Sequence, residues 1–166
     1  MKQVIAFILS TTLPVFLVAK YWPDMEPLPR TERVRYQEPL LSQVIEDAAN
    51  KHHVQKEILM GLIFHESKYD ETAFNPEKES RCYKQAKTPK ERRRCGSHSL
   101  MQIVSKWYGG DRDTWVENIQ RGSKILGDCI RRETTIRRGL GCYNGDRTGA
   151  YAAAVIQDAK AFGYKG

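Results

Sequence analysis

Glu66 is the residue whose type and spacing most directly suggest chemistry. It follows Ile63 and Leu62 by three and four positions and Leu59 by seven, so on a helix all four share one face. A carboxylate on an apolar stripe near a helix end is either paired with a cation or held partly desolvated at a cleft. Desolvation disfavours the charged form and raises the pKa, and the C-terminal end of the helix dipole pushes in the same direction. In that state a Glu is a general acid near neutral pH; paired with an arginine it is only structural. A metal site has weaker footing. The cysteines form no C-x-x-C, and the adjacent His52 and His53 point in different directions on a helix, so no metal is expected.

The elements that must position Glu66 are helical. Leu40, Leu41, Val44, Ile45, Ala48 and Ala49 follow the i, i+3, i+4 pattern of a first amphipathic helix. Ile58, Leu59, Leu62 and Ile63 continue it in a second, running to about Lys68. Residues 67–76 read as a loop, with a turn at Asn75-Pro76, and 80–96 as a polar loop. The spacing predicts a short helix over Ser99–Trp107 ended by Gly109-Gly110, and a long one from about Thr114 to Glu133. A short helix should lead to Cys142 and a last one should span Tyr151–Phe162. No run alternates with period two. The expected class is mainly α, with little or no β-sheet.

The chain has 166 residues, 40% hydrophobic and 10% aromatic, which suits one packed domain and excludes global disorder. No fixed-period repeat is visible. Its 27 Lys and Arg against 20 Asp and Glu give a net charge of +7, which points to an anionic partner. Six cations, Lys84, Lys87, Lys90, Arg92, Arg93 and Arg94, lie between Cys82 and Cys95. They read either as a solvated loop or as a contact to an anionic envelope surface or membrane. No nucleic-acid recognition motif is present, so nucleic acid is not the expected partner.

Residues 1–19 carry Lys2 and then a nearly continuous apolar stretch from Val4 to Ala19, the layout of a secretory signal peptide. As a helix that stretch reaches only about 24 Å. Leu17 is large for a cleavage site after Ala19, so an uncleaved anchor over residues 4–19 in the inner membrane is the other reading. Residues 20–39, with Pro23, Pro27, Pro29 and Pro39, read as an extended tether, and 40–166 as the globular domain. Either reading exports the domain to the periplasm or cell envelope. Cys82, Cys95, Cys129 and Cys142 suit an oxidising compartment and allow three pairings. The simplest, Cys82–Cys95 with Cys129–Cys142, closes two short loops, each worth about 3 kcal/mol.

Four motifs in order carry a resemblance. They are Glu66-Ser67 closing a helix, the run Gly96-Ser97-His98-Ser99-Leu100-Met101-Gln102-Ile103, Asn118-Ile119 with Gly122, and Tyr143-Asn144-Gly145. From about Leu40 to Phe162 the chain resembles the lytic transglycosylase domain of the soluble type, a mainly helical, lysozyme-like fold with a cleft for a peptidoglycan strand. The resemblance implies that Glu66 protonates the glycosidic oxygen between N-acetylmuramic acid and N-acetylglucosamine. The same group, now ionised, then helps the muramyl 6-hydroxyl attack the anomeric carbon, giving a 1,6-anhydro end. It also implies that Ser67, Met101, Gln102, Tyr143 and Asn144 line the substrate site, that Asn118 organises packing, and that the enzyme works as a monomer without a cofactor.

Two departures bear on substrate range. Ser99 stands where the family usually has Gly, and residues 80–95 look like an insertion. A goose-type lysozyme, which shares the fold but hydrolyses with water, is the nearest competing expectation. A non-catalytic cationic glycan- or membrane-binding protein is the expectation of a different class.

Overall fold

The computed structural model describes residues 38–109 and 113–166. The expected signal or anchor at 1–19 and nearly all of the tether at 20–39 lie outside them. Eight helices and three very short strands follow in the order α1 (Glu38–His52), α2 (Lys56–Ser67), β1 (Phe74–Asn75), α3 (Arg81–Gln85), α4 (Pro89–Arg94), β2 (Ser97–His98), β3 (Ile103–Val104), α5 (Ser105–Tyr108), α6 (Trp115–Glu133), α7 (Ile136–Asn144) and α8 (Ala150–Lys160). The fold is mainly α. Its sheet has the order β1-β2-β3, antiparallel throughout, with Phe74 opposite His98 and Ser97 opposite Val104.

The core forms around α2. Ile58, Leu59, Leu62 and Ile63 have no exposed surface, and burying each contributes about 2 kcal/mol. Around them pack Ile45 and Ala48 of α1, Ile119 and Leu126 of α6, Leu140 of α7 and Val155 of α8. Helix α8 comes closest: a Cβ on Gly61 would lie 2.6 Å from the Ala159 backbone nitrogen. A glycine is therefore required at this crossing. The backbone of α2 ends at Lys68, left-handed at φ 54°, whose N–H bonds the Phe64 carbonyl at 2.9 Å.

Helix α6 starts on a reciprocal capping box. Thr114 Oγ1 accepts from the Glu117 N–H, and Glu117 Oε2 accepts from the Thr114 N–H at 2.8 Å. Two disulfides, Cys82–Cys95 and Cys129–Cys142, join Cα atoms 5.5 and 5.7 Å apart. The second ties α6 to α7, and such bonds belong to an oxidising, extracytoplasmic setting. Among the described residues no helix is long and apolar enough to cross a membrane.

Two regions differ from the sequence expectation. The polar loop at 80–96 contains α3 and α4. The helix expected over 99–107 breaks into a turn, β3 and α5, because Ser99 (φ 62°) and Gln102 (φ 44°) adopt left-handed backbone. The turn is held from the core. The Met101 N–H donates to Asn118 Oδ1 at 2.8 Å, and Asn118 Nδ2 donates to the His98 carbonyl at 3.2 Å, both buried. A Cβ on Gly122, one turn along α6, would meet Met101 Sδ at 2.4 Å, so Gly122 leaves room for that side chain.

Replacing Asn118 with Ala strips a buried N–H of its acceptor and a buried carbonyl of a donor. At 1–3 kcal/mol per group, the expected loss is about 3 kcal/mol in urea denaturation. The contacts of Met101 to Tyr143 should loosen in the same variant.

Candidate active site

Glu66 occupies the last turn of α2, where the helix's free carbonyls lie, and its side chain is half-buried. Because α8 crosses so close to α2, it brings Tyr151, in its first turn, over the carboxylate. The Tyr151 hydroxyl donates a short hydrogen bond to Glu66 Oε1. Tyr151 is itself placed from two sides. Its backbone N–H donates to Asp146 Oδ2 at 2.8 Å, while Asp146 Oδ1 accepts from the N–H and hydroxyl of Thr148, both at 2.7 Å. The ring edge of His65 packs against it, centroids 5.2 Å apart and planes at 87°. His65 Nδ1 in turn lies 2.9 Å from Asp158 Oδ2, a second bridge between α2 and α8.

Three influences act on the Glu66 proton. Burial, the largest, raises the pKa above the ordinary Glu value; the Tyr151 hydrogen bond and the charge on His65 lower it. Burial wins, so the group holds its proton more tightly than a solvated Glu. Tyr151 and Tyr143 are both driven upward, first by burial and next by the Glu66 charge, so both stay protonated donors across the working pH range. A carboxyl with a raised pKa beside two permanently neutral hydroxyls is suited to giving up one proton and taking one back.

The other expected site residues fall into two groups. Tyr143, at the end of α7, senses the Glu66 charge but donates its hydroxyl to the Met101 carbonyl at 2.6 Å, not to the carboxylate. Asn144 beside it is exposed. Ser67 and Met101 are buried and Gln102 is half-buried, and each makes contacts within the domain. Ser67 Oγ donates to the Ile63 carbonyl one turn back at 3.1 Å. Met101 is fully buried against Gly122. Gln102 spends its amide on the local backbone: Nε2 donates to the Ser99 carbonyl at 2.8 Å and the Ala73 carbonyl at 3.2 Å, and Oε1 accepts from Ser97 Oγ at 3.1 Å. For Gln102 the physical reason is local: left-handed backbone at Ser99 and Gln102 is held by these side-chain ties, which consume its amide.

Tyr151, His65 and Asp158 were not legible as site residues. Tyr151 lies 85 positions from Glu66, and only the α2–α8 crossing unites them. Asp70, the next acid after Glu66, is engaged in a local turn, with Oδ1 accepting from the Thr72 N–H at 2.8 Å and its hydroxyl at 2.7 Å. Among the described residues no group of three or more His, Cys, Asp or Glu side chains could hold a metal ion. Comparison with protein families, curated proteins and solved structures yields no match for this chain.

The raised pKa of Glu66 has a consequence for stability. Folding favours the protonated form, so stability declines as pH rises from the ordinary Glu value through the raised one, and levels off above it. Glu66→Gln has no charge to desolvate, so its stability relative to the unmodified chain should climb across that window and then plateau. Tyr151→Phe removes an influence that lowers the pKa, so it should extend the window to higher pH. Thermal denaturation over a pH series checks both.

Proposed function

We propose that the protein is a peptidoglycan lytic transglycosylase in which Glu66 acts first as acid and then as base. The observation that supports this best is a half-buried carboxyl with a raised pKa at a helix end, hydrogen-bonded by a tyrosine hydroxyl and not by a second carboxylate. Glu66 gives its proton to the oxygen linking N-acetylmuramic acid to N-acetylglucosamine. The bond from the muramyl anomeric carbon to that oxygen breaks, and its electron pair leaves with the N-acetylglucosamine 4-hydroxyl. The Tyr151 hydrogen bond stabilises the resulting Glu66 carboxylate. That carboxylate then accepts the proton of the muramyl 6-hydroxyl as its oxygen bonds to the anomeric carbon. The proton count at Glu66 returns to its start, and an intramolecular nucleophile replaces the water or enzymatic ester that would call for a second carboxylate.

In this reading Tyr143, through the Met101 carbonyl, braces the turn opposite Glu66, and Asn144 supplies an exposed amide for the sugar. Met101, Gln102 and Ser67 position the site from within. In this reading the glycan strand binds beside the end of α2 and the start of α8, where Glu66 and Tyr151 meet. A lysozyme-like domain exported to the envelope, acting as a monomer without cofactor, fits this chemistry.

Glu66→Gln should abolish degradation of sacculi while leaving the far-ultraviolet circular dichroism unchanged. Mass spectrometry of the products of the unmodified chain should show 1,6-anhydromuramyl ends. Reducing muramyl ends would make it a goose-type-like hydrolase instead, and near-normal activity in Glu66→Gln would remove Glu66 from the chemistry.

A further inference from the structure

The segment between Cys82 and Cys95 carries six cations and one acid, Glu91, yet it is not a loose charged loop. Helices α3 and α4 form a hairpin closed by the Cys82–Cys95 bond. Glu91 is used internally: its Oε2 accepts the backbone N–H groups of Lys87 at 2.6 Å and Thr88 at 3.0 Å, completing the box that starts α4. Its charge is thus directed at the helix start. Among the described residues no carboxylate forms an ion pair with Lys87, Lys90, Arg92, Arg93 or Arg94; Lys84 alone of the six is paired, with Glu79 at 2.7 Å.

Arg92 and Arg93 project from one side of α4 over aromatic rings. The Arg92 guanidinium lies 5.9 Å from the Tyr83 ring centroid and that of Arg93 lies 5.6 Å from Phe74. With Pro89 these four residues line an open depression of about 390 Å³. Phe74 is 40% exposed there. Stacking on a ring orients a guanidinium while leaving its N–H fork free for an oxyanion. The hairpin is fastened to the sheet, since His98 Nε2 lies 2.7 Å from the Arg93 carbonyl and the His98 ring stacks on Phe74 at 4.7 Å.

We propose that this stapled hairpin docks the protein on an anionic phospholipid surface, with Arg92 and Arg93 taking a headgroup phosphate over the Phe74–Tyr83 depression. The charge pattern alone would suit any polyanion. Apolar ring surface directly beside the guanidiniums favours a lipid interface, where phosphate and hydrocarbon lie next to each other, over a polysaccharide carboxylate surrounded by water. The proposal stands apart from the Glu66 chemistry and does not depend on it.

The test is co-sedimentation of the full oxidised chain with phosphatidylcholine vesicles and with mixed phosphatidylcholine–phosphatidylglycerol vesicles. Comparing the two removes any charge-independent contribution from the apolar N-terminal stretch. The unmodified chain should partition roughly tenfold or more in favour of the anionic vesicles at low salt, and the preference should shrink at high salt. Arg92→Glu with Arg93→Glu should remove most of that preference, and Arg92→Gln with Arg93→Gln should reduce it without charge reversal. Arg137→Glu with Arg138→Glu, an equal charge change on exposed residues of α7, should leave most of it intact. Equal losses in the two reversed pairs would reduce the effect to net charge and overturn the proposal. So would an absence of preference for anionic vesicles, retention on sacculi alone, or full competition by millimolar inorganic phosphate.

Discussion

The close crossing of α2 and α8 is the constraint on which the site depends. Glu66 comes from one helix and Tyr151 from the other, and their hydrogen bond forms only because Gly61 lets the Ala159 backbone approach. The same crossing brings His65 to Asp158, and it covers the α2 face that carries Ile58, Leu59, Leu62 and Ile63. Hydrophobic burial therefore sets the distance between acid and phenol, and the polar bridges at the rim set their orientation. A carboxyl so placed is costly to ionise.

A second set of bonds, made by side chains, holds the turn that residues 99–102 form between β2 and β3. Asn118 ties it to α6, Tyr143 ties it to α7, and Gln102 folds back on the carbonyls of Ser99 and Ala73. The motif residues in this stretch therefore contribute through geometry more than through contact. Ser99 shows the same economy: it adopts φ 62°, a conformation that costs a residue with a side chain, at the position where the resembled family usually carries Gly.

Much of this was legible in the sequence where one physical signal dominated. Apolar periodicity located α1, α2, α6 and α8 within a few residues, since each buries a defined face. Glu66 stood out because it interrupts such a face. The short helices α3 and α4 have no apolar face to reveal them; their signals were the Ser80 cap of α3 and the Thr88-Pro89-Lys90-Glu91 pattern, which the structure uses as the capping box of α4. Residues 99–107 misled because the pattern ignores backbone sign, and two left-handed residues break the helix. Tyr151 could not be found from spacing, since its role exists only in the tertiary crossing.

The central claim is that Glu66 keeps its proton beyond the range of an ordinary glutamate while sitting against a neutral tyrosine. A pH titration of the Glu66 side-chain carboxyl by carbon-13 NMR, in the unmodified full chain, measures that directly. The account predicts a midpoint clearly above 4.5, the ordinary value for a glutamate side chain. A midpoint at or below that value would show an ordinary solvated or ion-paired carboxylate and would contradict the account.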